Sequence, residues 1–362
     1  MIMAGNAQKI RSFVGLTVAF AVLCGSGVFA QIKGVSPLSD YMYKRDFARY
    51  EAIKKEANAQ NRCDQLLAFI KERAISRILL YAVNDYQACV KPEIDKKNWP
   101  KVISMQESLN ALLPTEQKVK AEKIPVGSDE YIQGQLRPSK LMIQKTLLAA
   151  YLGSNNLPKA AETGENVYSL SGDKTMVPVL ADVYFRMENF DKYLTYAQKL
   201  LDATPIDKSY PTALQMADVY LKKQQPEKAM GLLAKVMNIY GDKVPPGYEV
   251  AGWNATRTLY YGSVASEAYG KKDYNKAMSA FGKVTQFDPK NDEAHYYIGM
   301  CKWQNKDQQG AIESFAKSVV LNKQYAGKAR TYLEQLYKAE HSDSLDGLDE
   351  ELTKARGSLG IN

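Results

Sequence analysis

The chain has 362 residues, of which 45% are hydrophobic and 24% are charged, and its formal net charge at pH 7 is +8. These ordinary values exclude a largely disordered chain and a protein that crosses a membrane many times. The basic residues are scattered along the sequence rather than clustered in a stripe, which favours solvated helix surfaces over nucleic-acid binding. The composition therefore indicates a folded, water-exposed protein without a nucleic-acid partner.

The first thirty residues have the layout of a secretory signal peptide. Lys9 and Arg11 precede an apolar run at 13–24, and Val28 and Ala30 supply the small side chains that a signal peptidase accepts. We expect cleavage after Ala30, which would lower the net charge from +8 to +6. The mature protein would then be periplasmic or secreted and would have no membrane span.

Two other fates of this segment stay open. An uncleaved membrane anchor would need about 20 apolar residues, whereas residues 25–27 are Gly, Ser and Gly and interrupt the run. Lipidation of Cys24 is the weaker alternative, because the residue before a lipidated cysteine is normally small and here it is Leu23.

The N-terminal third has apolar stripes typical of paired helices. One stripe lies at 66–70, and a second includes Ile78, Leu79, Tyr81, Ala82 and Tyr86. Pro114 follows the last apolar position and would end a helix. We interpret residues 39–114 as two divergent helical repeats.

Three cysteines lie beyond the signal segment. If the chain turns back near residues 74–76, Cys63 and Cys89 could meet across two antiparallel helices and form a disulfide in an oxidising compartment. The alternative is two buried thiols that act as small hydrophobic groups. Cys301 is expected to lie in the core.

The periodicity disappears between residues 115 and 137, where we expect a loop. It would be either a joint between two sub-arrays or a binding element. The expected organisation has five parts: a signal peptide at 1–30, divergent N-terminal helical repeats at 31–114, a loop or joint at 115–137, a repeat array at 138–322, and C-terminal capping helices at 323–362.

The second half of the chain repeats itself at a spacing of 34 residues. Ala277 and Phe281 recur as Ala311 and Phe315. The same register continues upstream, with an insertion marked by two prolines at 245–246 and a lengthened helix expected from Val250. The tyrosines that follow this register upstream are Tyr151, Tyr184 and Tyr220.

These residues resemble the tetratricopeptide repeat, which places a small residue and an aromatic residue four apart on the second helix of each pair. Gly164 departs from this pattern, because it replaces the expected aromatic residue. The resemblance implies an all-α fold, a right-handed α–α superhelical solenoid of helix pairs ended by capping helices. It also implies that the first helix of each pair lines a concave face.

Helical spacing then selects the side chains that would project into this groove. A mixed surface with aromatic residues suits an extended peptide or a partner helix. The predicted groove residues are Asp182, Phe185, Arg186, Asp218, Leu221, Lys222, Tyr269, Tyr296, Met300 and Trp303. For the last three, the alternative is packing against a terminal helix predicted at 326–339.

The sequence contains few residues that could form a catalytic site or a metal site. It contains only two histidines, and His295 occupies the aromatic position of the repeat. Asp343, Asp346 and Asp349 recur every three residues but lack the spacing of a calcium loop. We expect no catalytic residue, metal or cofactor.

A binding motif for terminal carboxylates is also missing. Some members of the tetratricopeptide family bind such carboxylates with a lysine and an asparagine one helical turn apart, whereas here Lys145 is followed one turn later by Ala149.

The sequence therefore favours an exported, non-catalytic scaffold or adaptor of the cell envelope that binds a protein or peptide partner. Two alternatives stay open. One is an envelope enzyme on a helical scaffold, for example a glycan-cleaving enzyme that uses Asp182 and Asp218 as paired carboxylates. The other is a structural protein that associates with itself as a homo-oligomer.

Overall fold

The computed structural model describes residues 40–121, 128–241 and 243–361, and these residues form helices and no strand. The predicted signal peptide, with its alternatives of an anchor or a lipidated cysteine, lies outside the described residues. The expected all-α helical-repeat fold is confirmed. Within the described ranges, no helix combines the length and hydropathy that a membrane span requires.

The chain divides into two compact units, which meet in sequence between Ala203 and Thr204. The described residues of the first unit form ten α-helices and a π-helical turn at Ile132–Leu136. The helices are α1 (Asp40–Lys54), α2 (Ala59–Glu72), α3 (Leu79–Asp95), α4 (Trp99–Leu112), α5 (Glu116–Ala121), α6 (Ser128–Tyr131), α7 (Arg137–Gly153), α8 (Leu157–Ser171), α9 (Met176–Arg186) and α10 (Phe190–Ala203).

The described residues of the second unit continue the alternation of paired helices. These helices are α11 (Ile206–Lys222), α12 (Pro226–Tyr240), α13 (Val250–Gly270), α14 (Tyr274–Phe287), α15 (Asp292–Gln304), α16 (Gln308–Val320), α17 (Ala326–Glu340) and α18 (Leu348–Ser358). The pairs are α1–α2, α3–α4, α7–α8, α9–α10, α11–α12, α13–α14 and α15–α16. In each pair we refer to the earlier helix as the first helix.

The turn inside a pair has the same backbone conformation in six places. A residue other than glycine ends the first helix with a positive φ in each, namely Lys97, Asn155, Glu188, Gln224, Lys272 and Lys306. In the α13–α14 turn, the N–H of Asp273 donates to the carbonyl oxygen of Ala268 at 2.9 Å. The Asp273 carboxylate then accepts from the N–H of Lys276 at 3.1 Å and caps the second helix.

Replacing Lys272 by glycine is expected to raise the melting temperature. Lys272 has φ 61°, a left-handed conformation that costs a residue with a Cβ about 1–2 kcal/mol. Glycine avoids this cost but has more conformational freedom when unfolded, which costs about 0.5–1 kcal/mol. The net gain should be about 0.5–1 kcal/mol by thermal unfolding. The matched control is Lys271→Gly, because Lys271 has φ −82° and should gain nothing; a lower melting temperature for Lys272→Gly would contradict the prediction.

Equivalent positions of the 34-residue repeat have equivalent packing. Ala277 and Ala311 are both fully buried, and Phe281 and Phe315 are 3% and 0% exposed. A Cβ added at Gly299 would lie 2.8 Å from the Phe315 ring, so the first helix needs a very small residue there. Within the second unit, the second helices α14 and α16 each pack against the helices on both sides, so neighbouring pairs share one core.

Residues 115–137, expected to be a loop or joint, contain helical turns on both sides of residues 122–127, which lie outside the described residues. Arg137 donates to both oxygens of Glu116 at 2.8 and 3.1 Å. The Tyr131 hydroxyl donates to the carbonyl oxygen of Ala74 at 2.5 Å, and Ile132 is buried. These helices are too short to show periodicity, and long-range contacts stabilise them.

The Cys63–Cys89 pair forms a disulfide that joins α2 to α3, with 5.8 Å between the Cα atoms. The two cysteines lie on either side of the turn between these helices, as the spacing suggested. Cys301 is a buried free thiol, and burial raises its pKa to about 11. Cys301 therefore packs as a small hydrophobic residue.

The insertion between α12 and α13 folds back on its own unit. The Tyr210 hydroxyl donates to the carbonyl oxygen of Pro246 at 2.6 Å. The Tyr248 ring lies 6.4 Å from the ring of Trp253, which is fully buried. The lengthened helix begins at Val250, as predicted, and its first turns are held by this aromatic cluster.

Candidate partner-binding surface

In the first unit, Asp182, Phe185 and Arg186 lie along α9, the first helix of its pair. Asp182 and Arg186 are exposed and form an ion pair with 3.5 Å between nitrogen and oxygen. Arg186 also donates to the side-chain oxygen of Asn155, in the turn of the preceding pair. Phe185 is half-buried, with its ring 5.2 Å from that of Tyr193. The structure therefore brings these three predicted residues together on one accessible surface.

In the second unit, Asp218, Leu221 and Lys222 have the same arrangement on α11. Lys222 Nζ lies 2.9 Å from the Asp218 carboxylate, and Leu221 is half-buried. The carboxylates of Asp182 and Asp218 are thus each engaged by a cation one turn further along the same helix.

Tyr296, Met300 and Trp303 pack against α17 instead of standing free in a groove. Tyr296 is only 8% exposed, and its ring lies 6.2 Å from that of Tyr332 on α17. The Trp303 ring lies 5.4 Å from the same tyrosine, and Met300 packs against the same buried cluster. The prediction of Tyr296 as an exposed groove residue is wrong, and packing against the terminal helix accounts for all three side chains. The reason is that α17 covers the aromatic side of α15.

Tyr269 also contributes to packing. It is half-buried on α13, with its ring 5.7 Å from Tyr274 and 5.0 Å from Tyr297. Burial is the main cause that raises the pKa of its hydroxyl.

An exposed aromatic surface on α1 and α3 was not identified from the sequence. Tyr43, Phe47 and Tyr81 are 36%, 44% and 43% exposed, and they are three of the seven large hydrophobic side chains found exposed among the described residues. The Arg77 guanidinium lies 4.6 Å from the centre of the Tyr43 ring, which is 6.0 Å from the Phe47 ring. We call these four residues the α1–α3 aromatic surface.

The sequence contains a signal for these exposed rings in the spacing of its aromatic residues. The apolar stripe predicted for α3 includes Tyr81, but Leu79, Ala82 and Tyr86 of that stripe are buried, whereas Tyr81 is exposed. The spacing of four between Tyr43 and Phe47 places both rings on one side of a helix. On α1, that side is not the side that packs.

A hydrogen-bonded cluster connects α8, α9 and α10 of the first unit. One oxygen of Glu165 accepts from the Tyr184 hydroxyl and from Lys192 Nζ, both at 2.7 Å, and from the Tyr196 hydroxyl at 3.3 Å. Burial alone would raise the pKa of Glu165, but these three donors together lower it. Burial and the nearby Glu165 carboxylate raise the pKa of Tyr196 to about 12. The cluster holds successive pairs together.

The His295 side chain is buried and hydrogen-bonded, as expected for a residue that contributes to packing. It is 7% exposed, and its Nε2–H donates to the carbonyl oxygen of Pro289 at 2.9 Å. Burial lowers the pKa of the ring, so the neutral form fills the aromatic position of the repeat. In the part of the chain that the structure describes, no group of three or more His, Cys, Asp or Glu residues is placed to hold a metal ion.

A scan of protein-family models and a search of curated proteins found no match to the sequence. Among solved structures, the chain is similar to YrrB, described as a TPR protein with an unusual peptide-binding site, at 17% identity over 56% of this chain and 97% of that one, with a TM-score of 0.34. A tetratricopeptide repeat protein from Parabacteroides merdae shares 13% identity over 75% and 98%, with a TM-score of 0.32. The TPR2AB domain of yeast Sti1, in complex with pHSP90, shares 12% identity over 88% and 99%, with a TM-score of 0.29.

A likeness at this identity and TM-score carries no argument about function. The helix-pair repeat is visible in the chain's own geometry. That geometry comprises the 34-residue register, the shared turn inside the pairs, and small and aromatic residues buried at equivalent positions of the second helices. The chain is an all-α protein built of repeated helix pairs, and its 34-residue pattern resembles the tetratricopeptide repeat.

Proposed function

We propose that the protein is a non-catalytic adaptor of the cell envelope that binds a segment of a partner protein on the first-helix side of its repeats. Repeat arrays of this type are scaffolds for protein–protein interaction. The proposal that the partner binds on the first-helix side rests on one observation. On α9, the exposed Asp182–Arg186 ion pair lies beside the half-buried Phe185 ring.

This surface has the composition of a binding hot spot. An aromatic side chain that is fixed by its neighbours loses little conformational entropy on binding, and arginine is enriched at such positions. The Phe185 ring is held against Tyr193, and Arg186 is oriented by Asn155. A partner peptide or helix could exchange hydrogen bonds with the ion pair while it covers the ring.

Two observations support an envelope location. The layout of residues 1–30 is that of a signal peptide, and the Cys63–Cys89 disulfide suits an oxidising compartment such as the periplasm. Retention of residues 1–30 as an anchor would leave the repeats on the same side of the membrane. In either case, the repeats would meet partners outside the cytoplasm.

The test is a double variant, Asp182→Ala with Arg186→Ala. The partner is first identified by affinity purification of the tagged mature chain from its native envelope and is then bound in purified form. We expect at least a tenfold loss of affinity and an unchanged melting temperature, because an exposed ion pair contributes about 0–1 kcal/mol to stability.

The matched control is Lys159→Ala with Glu162→Ala, which removes an exposed ion pair from α8, a second helix of the same unit. This control should bind the partner as the unchanged chain does. Undiminished binding by the Asp182 and Arg186 double variant would overturn the assignment of α9 to the partner-binding surface.

A further inference from the structure

We propose that the Cys63–Cys89 disulfide is a redox-controlled clasp for the first helix pair. Reduction of this bond by a dithiol releases α1 and α2 from α3, while the helices from α3 to α10 stay folded. Reoxidation docks the pair again. The proposal concerns a conformational change within the first unit, and it does not depend on the partner proposed for α9.

The disulfide lies between two helix pairs and not inside one pair. Cys63 is on α2, the second helix of the first pair, and Cys89 is on α3, the first helix of the next pair. In the described part of the chain, α1–α2 packs mainly against one neighbouring pair, α3–α4, whereas α7–α8 packs against both α4 and α9. Because the stability of a repeat depends on its neighbours, a pair with one neighbour separates more easily than a pair with two.

The first pair also has few buried apolar side chains. Between residues 43 and 54 of α1, the buried hydrophobic residues are Tyr50 and Ile53. By comparison, the shorter helix α9 buries six apolar side chains. The buried hydrophobic residues of α2 are Leu66, Phe69 and Ile70. Segments with so few buried apolar contacts open at a low cost in free energy, so a covalent bond has a large effect on whether this pair stays docked.

Hydrogen bonds between the first pair and the residues that follow it do not replace the covalent bond. The Tyr50 hydroxyl donates to the Asp85 carboxylate of α3 at 2.7 Å, and the Ser76 hydroxyl donates to the Asp46 carboxylate at 2.8 Å. Each such bond contributes a limited amount to stability, because it replaces hydrogen bonds to water. Two ion pairs of α1 are formed with the end of α2 and therefore move with the pair, namely Asp46–Arg73 and Arg49–Glu72.

The α3 helix is held independently from its other side. The Gln87 side-chain oxygen accepts from the Gln106 amide of α4 at 2.6 Å and from the Thr146 hydroxyl of α7 at 3.3 Å. Near the start of α3, the Leu80 N–H donates to the side-chain oxygen of Gln135 at 3.1 Å. These contacts do not involve the first pair, so α3 can keep its place when α1 and α2 separate from it.

The C-terminal end of the described chain is covered without a covalent bond. Both α17 and α18 pack against α16, and their buried side chains include Leu333, Leu336, Leu348 and Leu352. An apolar cap of this kind does not react with a thiol, whereas a disulfide does. Among the described helix pairs, the first pair is therefore the one whose docking can follow the redox state.

The reaction is thiol–disulfide exchange with a dithiol, either a dithiol protein of the compartment or dithiothreitol. Both cysteines are half-buried rather than buried, so the bond is not enclosed in the core. A thiolate of the reductant attacks one sulfur and forms a mixed disulfide, and the other cysteine leaves as a thiolate that takes up a proton. The second thiol of the reductant then releases the first cysteine. The Cys63–Cys89 bond gains two electrons and two protons, and the reductant becomes a disulfide.

Release of the first pair changes the surface that the chain presents. The α2 helix packs against α3, and its apolar side chains Leu66, Phe69 and Ile70 are buried in the docked pair. When the two helices separate, apolar area on both of them becomes accessible to water. The redox state of one bond is thereby converted into exposure of apolar surface in the first unit.

Hydrogen–deuterium exchange of the backbone amides, followed by mass spectrometry of peptides from the mature chain, tests the proposal. With dithiothreitol, amides between residues 43 and 72 should exchange at least about tenfold faster, whereas amides of α7 to α10 should be unchanged. Alkylation of the two thiols confirms that the bond is reduced. Cys63→Ser with Cys89→Ser should show the same pattern without reductant, and oxidised glutathione should restore slow exchange in the reduced unchanged chain.

Two control variants separate the bond from its surroundings. Cys301→Ala should keep the full response to dithiothreitol, because Cys301 is a free thiol of the second unit. Tyr50→Phe removes the hydrogen bond to Asp85 and leaves the disulfide in place. The oxidised Tyr50→Phe chain should keep its amides between residues 43 and 72 protected, and reduction should expose them at least as much as in the unchanged chain.

The proposal is overturned by any of three results. A bond that resists dithiothreitol until urea unfolds the chain would exclude a redox role for the folded protein. Faster exchange to the same extent from α1 to α10 would show that the bond stabilises the unit as a whole. Unchanged protection of α1 and α2 after reduction would show that packing alone keeps the pair docked.

Discussion

Replacing Phe315 by alanine should lower the free energy of unfolding of the second unit by about 3–5 kcal/mol. The side chain is fully buried on α16. Its ring stacks 5.7 Å from that of Tyr332 on α17 and lies 5.8 Å from that of Tyr296 on α15. The substitution removes a large ring from between two neighbouring helices, and Gly299 has no side chain that could fill the space. Equilibrium unfolding in urea measures the loss.

The control for this prediction is Phe47→Ala, the same chemical change at a position that is 44% exposed. It should cost less than about 1 kcal/mol, because little apolar area is returned to water. A cost below about 1 kcal/mol for Phe315→Ala would contradict the packing of successive pairs around this ring.

Removing the disulfide with Cys63→Ser and Cys89→Ser should lower the free energy of unfolding by about 3 kcal/mol. The bond closes a loop across 26 positions of the sequence and restricts the unfolded chain more than the folded one. Both cysteines are half-buried, so serine should fit in the folded state without a large cavity. The loss should appear as a lower melting temperature in the absence of reductant.

Reductant provides the matched control. Dithiothreitol should lower the melting temperature of the unchanged chain towards that of the double variant, and it should leave the double variant unaffected. Cys301→Ala should keep the response to dithiothreitol, because Cys301 is a free thiol. An unchanged chain that does not respond to reductant would exclude a stabilising role for the bond.

The sequence predicted the helix pairs of the second unit well because their periodicity is local. Small and aromatic residues at fixed spacing indicate a helix whatever lies around it, and α13 and α17 begin at Val250 and Ala326 as expected. Residues 115–137 lacked such a signal. Their helices depend on partners distant in sequence, such as Ala74 for Tyr131, and no local pattern encodes such a contact.

The candidate surface was predicted less well, for the same physical reason. Helical spacing indicates which residues share one side of a helix, and this is sufficient for Asp182 and Arg186. It does not indicate which neighbour covers that side. Tyr296 is predicted as a groove residue and is covered by α17, whereas Tyr81 belongs to the predicted apolar stripe and is exposed.

The sequence by itself determined the all-α class, the repeat period and the positions that pack inside each pair, because these follow from the chemistry of residues close together in the chain. Tertiary structure decided which aromatic rings stay accessible, since the exposure of a ring depends on the helices that pack beside it. For that reason, Trp303 belongs to the packing between α15 and α17, and Phe47 belongs to the surface.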